Sequence, residues 1–266
     1  MVKSENGTKP PINCLLLLIL LANLGQLSSC VQENPANLVN GLNLPREIQQ
    51  VILVTTSDWD CPNGTLALFS QTDTGWRLAN NAVPVAVGRN GLGWGLGLFP
   101  FKSKTAPIKI EGDSRTPAGI FELGDAFGYS DSAPPGCKLL YRTATDRDYF
   151  IDDTHSPDYN SWVSLTEGAN KPQEHWKSFE RMKRDDHLYE LGIIVKHNMR
   201  PVVSGRGSAI FLHIWSAKGK ATSGCTAMSK ENLEAILRWL DPSKCPVLIQ
   251  IPKSELKNLA QNMKMG

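Results

Sequence analysis

Short apolar runs separated by turn-forming residues occupy most of the chain beyond residue 50, and they restrict its fold more than any other feature. Many of their positions are β-branched, and in some runs apolar and polar residues alternate, as expected of half-buried strands. The runs begin at Gln50, Gly64, Trp76, Ala106, Ala118, Gly192, Ala209 and Pro246. We therefore predict a mainly β fold with a few α-helices, an α+β class.

Two segments carry a helical pattern instead. Ser229 can cap a helix that Pro242 ends, and its apolar residues recur at helical spacing: Leu233, Ile236, Leu237 and Leu240. A second helix is predicted near 173–191, from Trp176, Phe179, Met182 and Leu188. The polar and aromatic stretch at 140–175 is expected to be an ordered, strand-poor excursion with a functional role.

Length, charge and cysteine content exclude several classes of protein. The 266 residues suit one large domain or two small ones. A net charge of +2 without long basic runs argues against binding to nucleic acid. Six cysteines are too few for a disulfide-stapled mini-protein, although an exported chain could form one disulfide among Cys61, Cys137 and Cys245.

The sequence of the N-terminus is typical of a targeting segment. A weakly basic start, with Lys3 and Lys9, precedes an apolar run at 12–24 that is short for a membrane span. The run ends in Leu-Ser-Ser-Cys, which resembles a bacterial lipobox with Cys30 as the lipidated residue. We predict a signal peptide over 1–29, with the lipidated Cys30 and a tether over 30–46. An ordinary cleaved signal peptide and an uncleaved anchor are the alternatives.

All three interpretations of the N-terminus imply export. The expected location is periplasmic or cell-surface, as a lipoprotein held to a membrane by its lipid anchor. In a Gram-negative envelope, Val31 rather than aspartate after the cysteine favours the outer membrane.

The glycine-rich stretch at 88–97 resembles a phosphate-binding loop only superficially. Such a loop needs a helix directly after it, because the helix N-terminus supplies the amides that bind phosphate. Phe99 and Pro100 follow here without a helical pattern, so we predict a mobile loop or a hairpin tip.

The C-terminal third contains the strongest chemical signal. His213 ends an apolar strand, and Cys225 follows twelve residues later, after a turn of small residues. A hairpin of that length could bring the thiol to the imidazole, which would lower the thiol pKa from its free value near ~8.5. Gly224 would let backbone amides approach a developing oxyanion. A buried structural cysteine and a structural histidine remain the alternative.

These residues also resemble a known family. His213 followed by Ser223-Gly-Cys-x-x-Met228 resembles the L,D-transpeptidase catalytic domain, the YkuD-like family. Three further stretches share the resemblance: the Thr-Pro-x-Gly-x-Phe segment at 116–121, Asp152-Asp153 with Tyr159-Asn160, and 208–213. It extends over about 50–252, so we predict a catalytic domain over 47–266.

The resemblance implies a YkuD-like fold, in which mixed β-sheets carry a catalytic cysteine at a cleft. Cys225 would form an acyl-enzyme with a peptidoglycan stem peptide, and His213, oriented by the carbonyl of Ile214, would act as acid and base. Passing the acyl group to an amine would give a cross-link or an attachment. The implied partner is the stem peptide, and no cofactor is needed.

Other residues near the pair are assigned lesser roles. Ser223 and Gly224 are candidates for the oxyanion hole. Arg206 could hold a substrate carboxylate or be a solvated loop cation, and Trp215 could form a pocket wall or pack on the helix. No histidine or cysteine pair has the spacing of a zinc site, so no metal is expected.

Departures from the family pattern leave the reaction open. Ile214 and Trp215 follow the histidine, where a glycine is common directly after it. Ser223 replaces a frequent second histidine, and Met228 replaces a residue that is commonly arginine or asparagine-like. An L,D-carboxypeptidase and a catalytically inactive peptidoglycan-binding module are therefore kept as alternatives.

Overall fold

The computed structural model describes residues 35–99, 105–168 and 171–264. The predicted signal peptide over 1–29 and the lipidation site Cys30 lie outside these residues and stay predictions. Within the described ranges, no helix is both long and apolar enough to cross a membrane.

Strands dominate the described residues, which confirms the mainly β prediction. The strands are β1 (Gln50–Thr56), β2 (Asn63–Thr72), β3 (Gly75–Leu78), β4 (Val83–Ala86), β5 (Leu92–Trp94), β6 (Thr116–Gly128), β7 (Tyr141–Thr143), β8 (Asp148–Ile151), β9 (Trp162–Ser164), β10 (Phe179–Arg181), β11 (Leu191–Val195), β12 (Phe211–Ile214), β13 (Thr226–Met228) and β14 (Val247–Pro252). The α-helices are α1 (Pro35–Asn40), α2 (Pro172–His175), α3 (Lys230–Trp239) and α4 (Leu256–Lys264), with 3₁₀ turns at Pro242–Lys244 and Lys253–Glu255.

Most strands join one eleven-stranded sheet, and the pairing of its strands closes on itself. The order is β1-β14-β6-β11-β12-β13-β4-β2-β3, and β1 pairs with β2 as well as with β14. Both parallel and antiparallel pairs occur, since β1 runs parallel to β14 and antiparallel to β2. The expected mixed sheet is confirmed, and its closure fixes β12 and β13 between neighbours on both sides.

Helix α3 forms where its pattern predicts. The side chain of Ser229 accepts a hydrogen bond from the N–H of Asn232 at 3.4 Å, as an N-cap does. The predicted apolar face is buried: Leu233, Ile236, Leu237 and Leu240 all belong to the main core. The helix begins directly after β13, so its packing helps to hold that strand in place.

The helix predicted near 173–191 was wrong. Only the four residues of α2 are helical, and β10 then pairs antiparallel with β8. The ring of Phe179 packs against Tyr149 with centroids 5.1 Å apart. Strand pairing and aromatic packing therefore override an apolar spacing that only approximates the helical period.

The excursion at 140–175 contributes more strand than expected. Strands β8 and β9 lie in it and join β10 in a separate three-stranded sheet. Asp152 follows β8 directly, and Glu180 lies in β10. This small sheet places both carboxylates at the pocket described below.

The described part of the predicted tether packs as part of the domain. Val39 and Leu42 are buried in the main core, and the side-chain oxygen of Asn40 accepts the N–H of Trp76 at 2.9 Å. Apolar residues at helical spacing give α1 a face to bury. Residues 36–42 therefore pack against the domain, while the boundaries of the signal peptide and tether stay predictions.

Two further local expectations are corrected. The glycine-rich stretch is a hairpin turn only at its start, where Gly88 and Gly91 form an antiparallel bridge. Its later part is ordered differently, because β5 pairs parallel with β6 and a Cβ at Gly97 would lie 2.2 Å from the carbonyl oxygen of Ile120. The run at Ala106 makes only an isolated bridge, from Ile108 to Trp94.

Candidate active site

A cavity of about 460 Å³ contains the two residues with the strongest chemical signal. His213 lies in β12, and Cys225 directly precedes β13. The two strands run parallel, with His213 opposite Ala227. Because side chains alternate along a strand, Cys225 and Ala227 share a face, and both line the cavity with His213.

The expected hairpin between these residues was wrong. A hairpin joins antiparallel strands, whereas β12 and β13 are parallel and are connected by a crossover loop over 215–225. The loop returns the chain to the end of the sheet where β12 begins, so that Cys225 before β13 and His213 in β12 line the same cavity.

The Cys225 thiol is held by backbone groups in a buried position. The N–H of Phe211 donates to Sγ at 3.3 Å, and the S–H donates to the carbonyl of Ala209 at 3.4 Å. Aromatic residues surround the sulfur, among them Phe211 and Tyr189. Burial raises the pKa of Cys225 to about 12, against which the Phe211 hydrogen bond acts only in part.

The His213 imidazole is also buried and neutral. Its Nδ1 lies 2.8 Å from the carbonyl oxygen of Ile214, the contact that the family resemblance implied. A carbonyl can only accept, so Nδ1 carries the proton and Nε2 keeps its lone pair. Burial lowers the pKa of His213 to about 4, and the edge of the Tyr189 ring packs beside it with centroids 5.3 Å apart.

The resting site is therefore a neutral thiol beside a neutral base. This reverses the expectation that the imidazole would lower the thiol pKa, because burial disfavours both charged forms. Such a pair suits transfer of the proton during attack on a substrate rather than storage of a thiolate.

Two threonine hydroxyls clamp the carbonyl of the candidate nucleophile. Thr116 Oγ1 donates to the carbonyl oxygen of Cys225 at 3.0 Å, and Thr222 Oγ1 donates to the same oxygen at 2.6 Å. Thr116 in turn accepts the N–H of Gly88 at 2.8 Å. The clamp fixes the orientation of the Cys225 carbonyl at the point where the chain enters β13.

A family model settles the relationship to known proteins. The model of the L,D-transpeptidase catalytic domain, YkuD, matches residues 65–249. The match spans well over half of the 266 residues and includes His213, Cys225 and the threonine clamp. The chain belongs to the L,D-transpeptidase catalytic domain family.

Among solved structures, this L,D-transpeptidase-family chain is similar to the helical cell shape determining protein Pgp2 from Campylobacter jejuni. The sequence identity is 16% and the TM-score is 0.40. The likeness covers 82% of this chain and 54% of that chain, so this chain spans about half the length of that protein. No curated protein matches the chain.

The structure explains the Thr-Pro-x-Gly segment of this L,D-transpeptidase-family chain. Its threonine is Thr116 of the clamp, and the carbonyl of Pro117 accepts the side-chain amide of Gln250 at 3.2 Å. Gln250 also accepts the hydroxyl of Thr226, the residue after the cysteine. The segment therefore contacts the Cys225 backbone directly through Thr116, and the next residue, Thr226, indirectly through Gln250.

The structure brings some of the other predicted site residues to the pocket. Gly224 lines it with a φ of 155°, a backbone conformation that favours glycine, and its N–H donates to Thr222 Oγ1 at 3.1 Å. Ser223 is exposed at the pocket and accepts from Arg89 at 2.8 Å. Trp215 forms part of the wall.

Arg206 is not brought to the pocket. It is absent from the described residues that line the cavity, and its Nε donates to the carbonyl of Lys109 at 3.1 Å. Its own carbonyl contacts the buried His197 Nε2 at 2.9 Å. Arg206 therefore braces the loop before β12, and its assignment to a substrate carboxylate stays a prediction without a contact to support it.

Sequence reasoning missed Lys109. This lysine is 3% exposed and lines the pocket, with Nζ paired to Asp113 at 2.5 Å. A Cβ at Gly224 would lie 3.9 Å from the same Nζ, so a buried cation sits beside the loop of the nucleophile. Its charge acts to lower the pKa of Cys225 against the larger effect of burial. Nothing in an isolated lysine within a short apolar run indicates this placement.

No metal or disulfide competes for the described site residues. Within 35–99, 105–168 and 171–264, no group of three or more histidine, cysteine or acidic residues is arranged to hold a metal ion. Cys61, Cys137, Cys225 and Cys245 are all free thiols. Cys225 is therefore available as a thiol, as nucleophilic chemistry requires.

Proposed function

We propose that this chain acts on peptidoglycan stem peptides as an L,D-transpeptidase through an acyl-enzyme on Cys225. Membership of the family supports the substrate class. The observation that carries the proposal is the placement of Cys225 and His213 on one face of two adjacent parallel strands, with Nε2 of the neutral imidazole free to accept a proton.

The first step follows from this arrangement. Sγ of Cys225 bonds to the carbonyl carbon of the stem peptide while its proton passes to Nε2 of His213. The oxygen of the tetrahedral intermediate carries the negative charge, which the backbone amide of Cys225 and the Lys109 cation can stabilise, since the amide of Gly224 already donates to Thr222. Collapse breaks the C–N bond, and the leaving amine takes the proton from His213, giving a thioester.

The second step decides the reaction. An acceptor amine that attacks the thioester gives its proton to His213, and the thiol is regenerated with a new amide bond. If water attacks instead, the product is a trimmed peptide and the chain acts as an L,D-carboxypeptidase. The same two residues serve both outcomes, so the acceptor alone distinguishes them.

Incubation of the purified protein with sacculi, followed by muropeptide analysis, tests the proposal. We expect new cross-linked or amine-attached muropeptides, and none with Cys225→Ser. Trimmed peptides without new links would establish the carboxypeptidase. An unchanged muropeptide profile, together with binding to sacculi, would establish an inactive binding module and overturn the proposal.

We also propose that the chain is an exported lipoprotein anchored through Cys30. The support is the sequence of residues 1–30 alone. Cells fed an alkyne analogue of palmitate should label the wild-type protein and not Cys30→Ala, with Cys245→Ala as the matched control. Equal labelling of wild type and Cys30→Ala would overturn the anchor.

A further inference from the structure

Ala209 has a backbone conformation that alanine rarely adopts. Its φ is 53°, in the left-handed region, where the Cβ of an L-residue crowds the following carbonyl oxygen. The carbonyl oxygen of Ala209 accepts the S–H of Cys225 at 3.4 Å, and the N–H of Phe211 donates to the same sulfur at 3.3 Å. The conformation of Ala209 therefore determines whether its carbonyl faces the thiol.

The residues on either side of Ala209 are held by other groups. The N–H of Gly207 donates to the Tyr159 hydroxyl at 3.1 Å. Beyond Ala209, the carbonyl of Ile210 accepts the N–H of Val195 in β11 at 2.9 Å. These bonds fix the two ends of a short segment, and they leave the orientation of the Ala209 peptide groups to a further contact.

The side chain of Asn160 makes that contact. Its Oδ1 accepts the N–H of Ala209 at 3.2 Å, and its Nδ2 donates to the carbonyls of His197 at 2.9 Å and Asn198 at 2.8 Å. Since a carbonyl can only accept, these two carbonyls determine which end of the amide faces Ala209. Asn160 is 4% exposed, and its own N–H donates to the carbonyl of Ile151 in β8 at 2.7 Å. The amide is therefore buried, oriented and anchored to the small three-stranded sheet.

The residue type at position 160 follows from these demands. The side chain needs an acceptor for the N–H of Ala209 and donors for two carbonyls, on a backbone with a φ of 61°. Asparagine is among the few non-glycine residues that enter the left-handed region readily. Aspartate would offer no donor when ionised, and leucine would offer no polar atom. The hydrogen bonds therefore account for an asparagine here.

We propose that Asn160 is a positioning residue for the nucleophile Cys225 and acts through Ala209. Its side chain holds Ala209 in the left-handed conformation, so that the Ala209 carbonyl faces the thiol. Together with the N–H of Phe211, this carbonyl fixes where Sγ lies for attack. Asn160 is not among the described residues that line the cavity, so its effect passes through the backbone. The inference deepens the proposed function and rests on it.

Loss of the Asn160 side chain should release the sulfur. The N–H of Ala209 would lose its acceptor, and the residue could relax to a right-handed or extended conformation. Its carbonyl would then turn away from Cys225, which would keep only the contact from Phe211. A displacement of the sulfur by about 1 Å should slow acylation by about tenfold to a hundredfold.

The S–H stretching band in the infrared spectrum reports this contact directly. A thiol that donates a hydrogen bond absorbs at a lower wavenumber than a free thiol, and subtracting the spectrum of Cys225→Ser isolates the band of Cys225. The test variant is Asn160→Gly, because glycine removes the side chain and tolerates the left-handed backbone. We expect the band to move to higher wavenumber. The maximal rate of carbapenem acylation should fall by the factor given above, with a half-saturating concentration that changes by less than about twofold.

Two further variants separate positioning from general support of the segment. Glycine adopts the φ of Ala209 without strain, so Ala209→Gly added to Asn160→Gly should recover the band position and part of the lost rate. Asn198→Gly is the matched control, because Asn198 is also buried, has a φ of 55° and bonds to Val203 and Gly207. It should leave the band at its wild-type position.

An unchanged band in Asn160→Gly, or a shift that Ala209→Gly does not reverse, would overturn the inference. Should Asn160→Gly fail to fold, Ala209→Val tests the same contact with Asn160 intact. A β-branched residue avoids this region of φ, so the band should shift, and an unchanged band would again overturn the inference. Failure of the proposed function looks different: the band would shift as expected, while the wild-type protein would leave the muropeptide profile unchanged.

Discussion

At the scale of single residues, the site works through what burial does to two ionisable groups. Cys225 keeps its proton and His213 lacks a second one, because neither charge is favoured inside the pocket. The Ile214 carbonyl fixes which imidazole nitrogen can act as the base. Reactivity then depends on a bound substrate, whose carbonyl oxygen takes up the negative charge that develops during attack.

The rate of thiol acylation should therefore stay at its plateau down to an unusually acidic pH. Only neutral His213 can take the proton, and its pKa is about 4. We expect the rate of carbapenem adduct formation to rise through pH 4 and to be level by pH 6.5. His213→Ala should lower the rate by about 10²- to 10⁴-fold and remove this limb. A profile that His213→Ala leaves unchanged would show that His213 is not the base.

Thr116→Val should impair both stability and acylation. The change leaves the N–H of Gly88 without its acceptor and removes one of two donors to the Cys225 carbonyl. The expected loss is about 1–3 kcal/mol in the free energy of unfolding, measured in urea, with a slower adduct rate. Thr74→Val, at an exposed position, is the control. Equal behaviour of the two variants would contradict the clamp.

At the scale of elements, the crossover between β12 and β13 and the helix that follows bring the pair together. Helix α3 begins at Lys230, directly after β13, and buries its apolar face in the main core. A shift of this helix would move the strand that carries the nucleophile.

Ser229→Ala tests how much the N-cap contributes to holding this helix. Loss of the N-cap should reduce the free energy of unfolding by about 1 kcal/mol. Ser57→Ala, on an exposed loop, should have no such effect in the same urea titration. If Ser229→Ala is neutral, the cap contributes nothing to stability and the helix is held by packing alone.

The elements also differ in how well the sequence predicts them. Strong local signals, such as the apolar run of β1 and the capped pattern of α3, predict those elements correctly because the signal lies within the segment. Residues 173–191 were misread as a helix because the pairing of β10 with β8 depends on distant residues. The same limit applies to the site: Cys225 and His213 stand out in sequence, whereas Lys109 and the role of Thr116 depend on contacts far along the chain.

At the scale of the whole molecule, two histidines are buried in their neutral forms. His197 accepts the N–H of Leu96 and contacts the carbonyl of Arg206, and burial lowers its pKa to about 4, as it does for His213. Protonating either one in the folded state would place an uncompensated charge in the interior.

The protein should lose stability as the pH falls from about 6.5 to 4. In this window the unfolded histidines bind protons that the folded ones do not, so the unfolded state gains. The raised pKa values of Asp152 and Glu180 act in the opposite direction at the acid end. We therefore compare wild type with His213→Gln, which should lose on the order of a few kcal/mol less across the window in urea titrations. Equal losses would show that His213 is not buried as a neutral group.

The most direct test of the account is the intact mass of the protein after reaction with a carbapenem. We predict one adduct, mapped to Cys225, that forms far more slowly in His213→Ala and not at all in Cys225→Ser. Absence of an adduct on the folded wild type, or its persistence in Cys225→Ser, would contradict a nucleophilic Cys225 activated by His213.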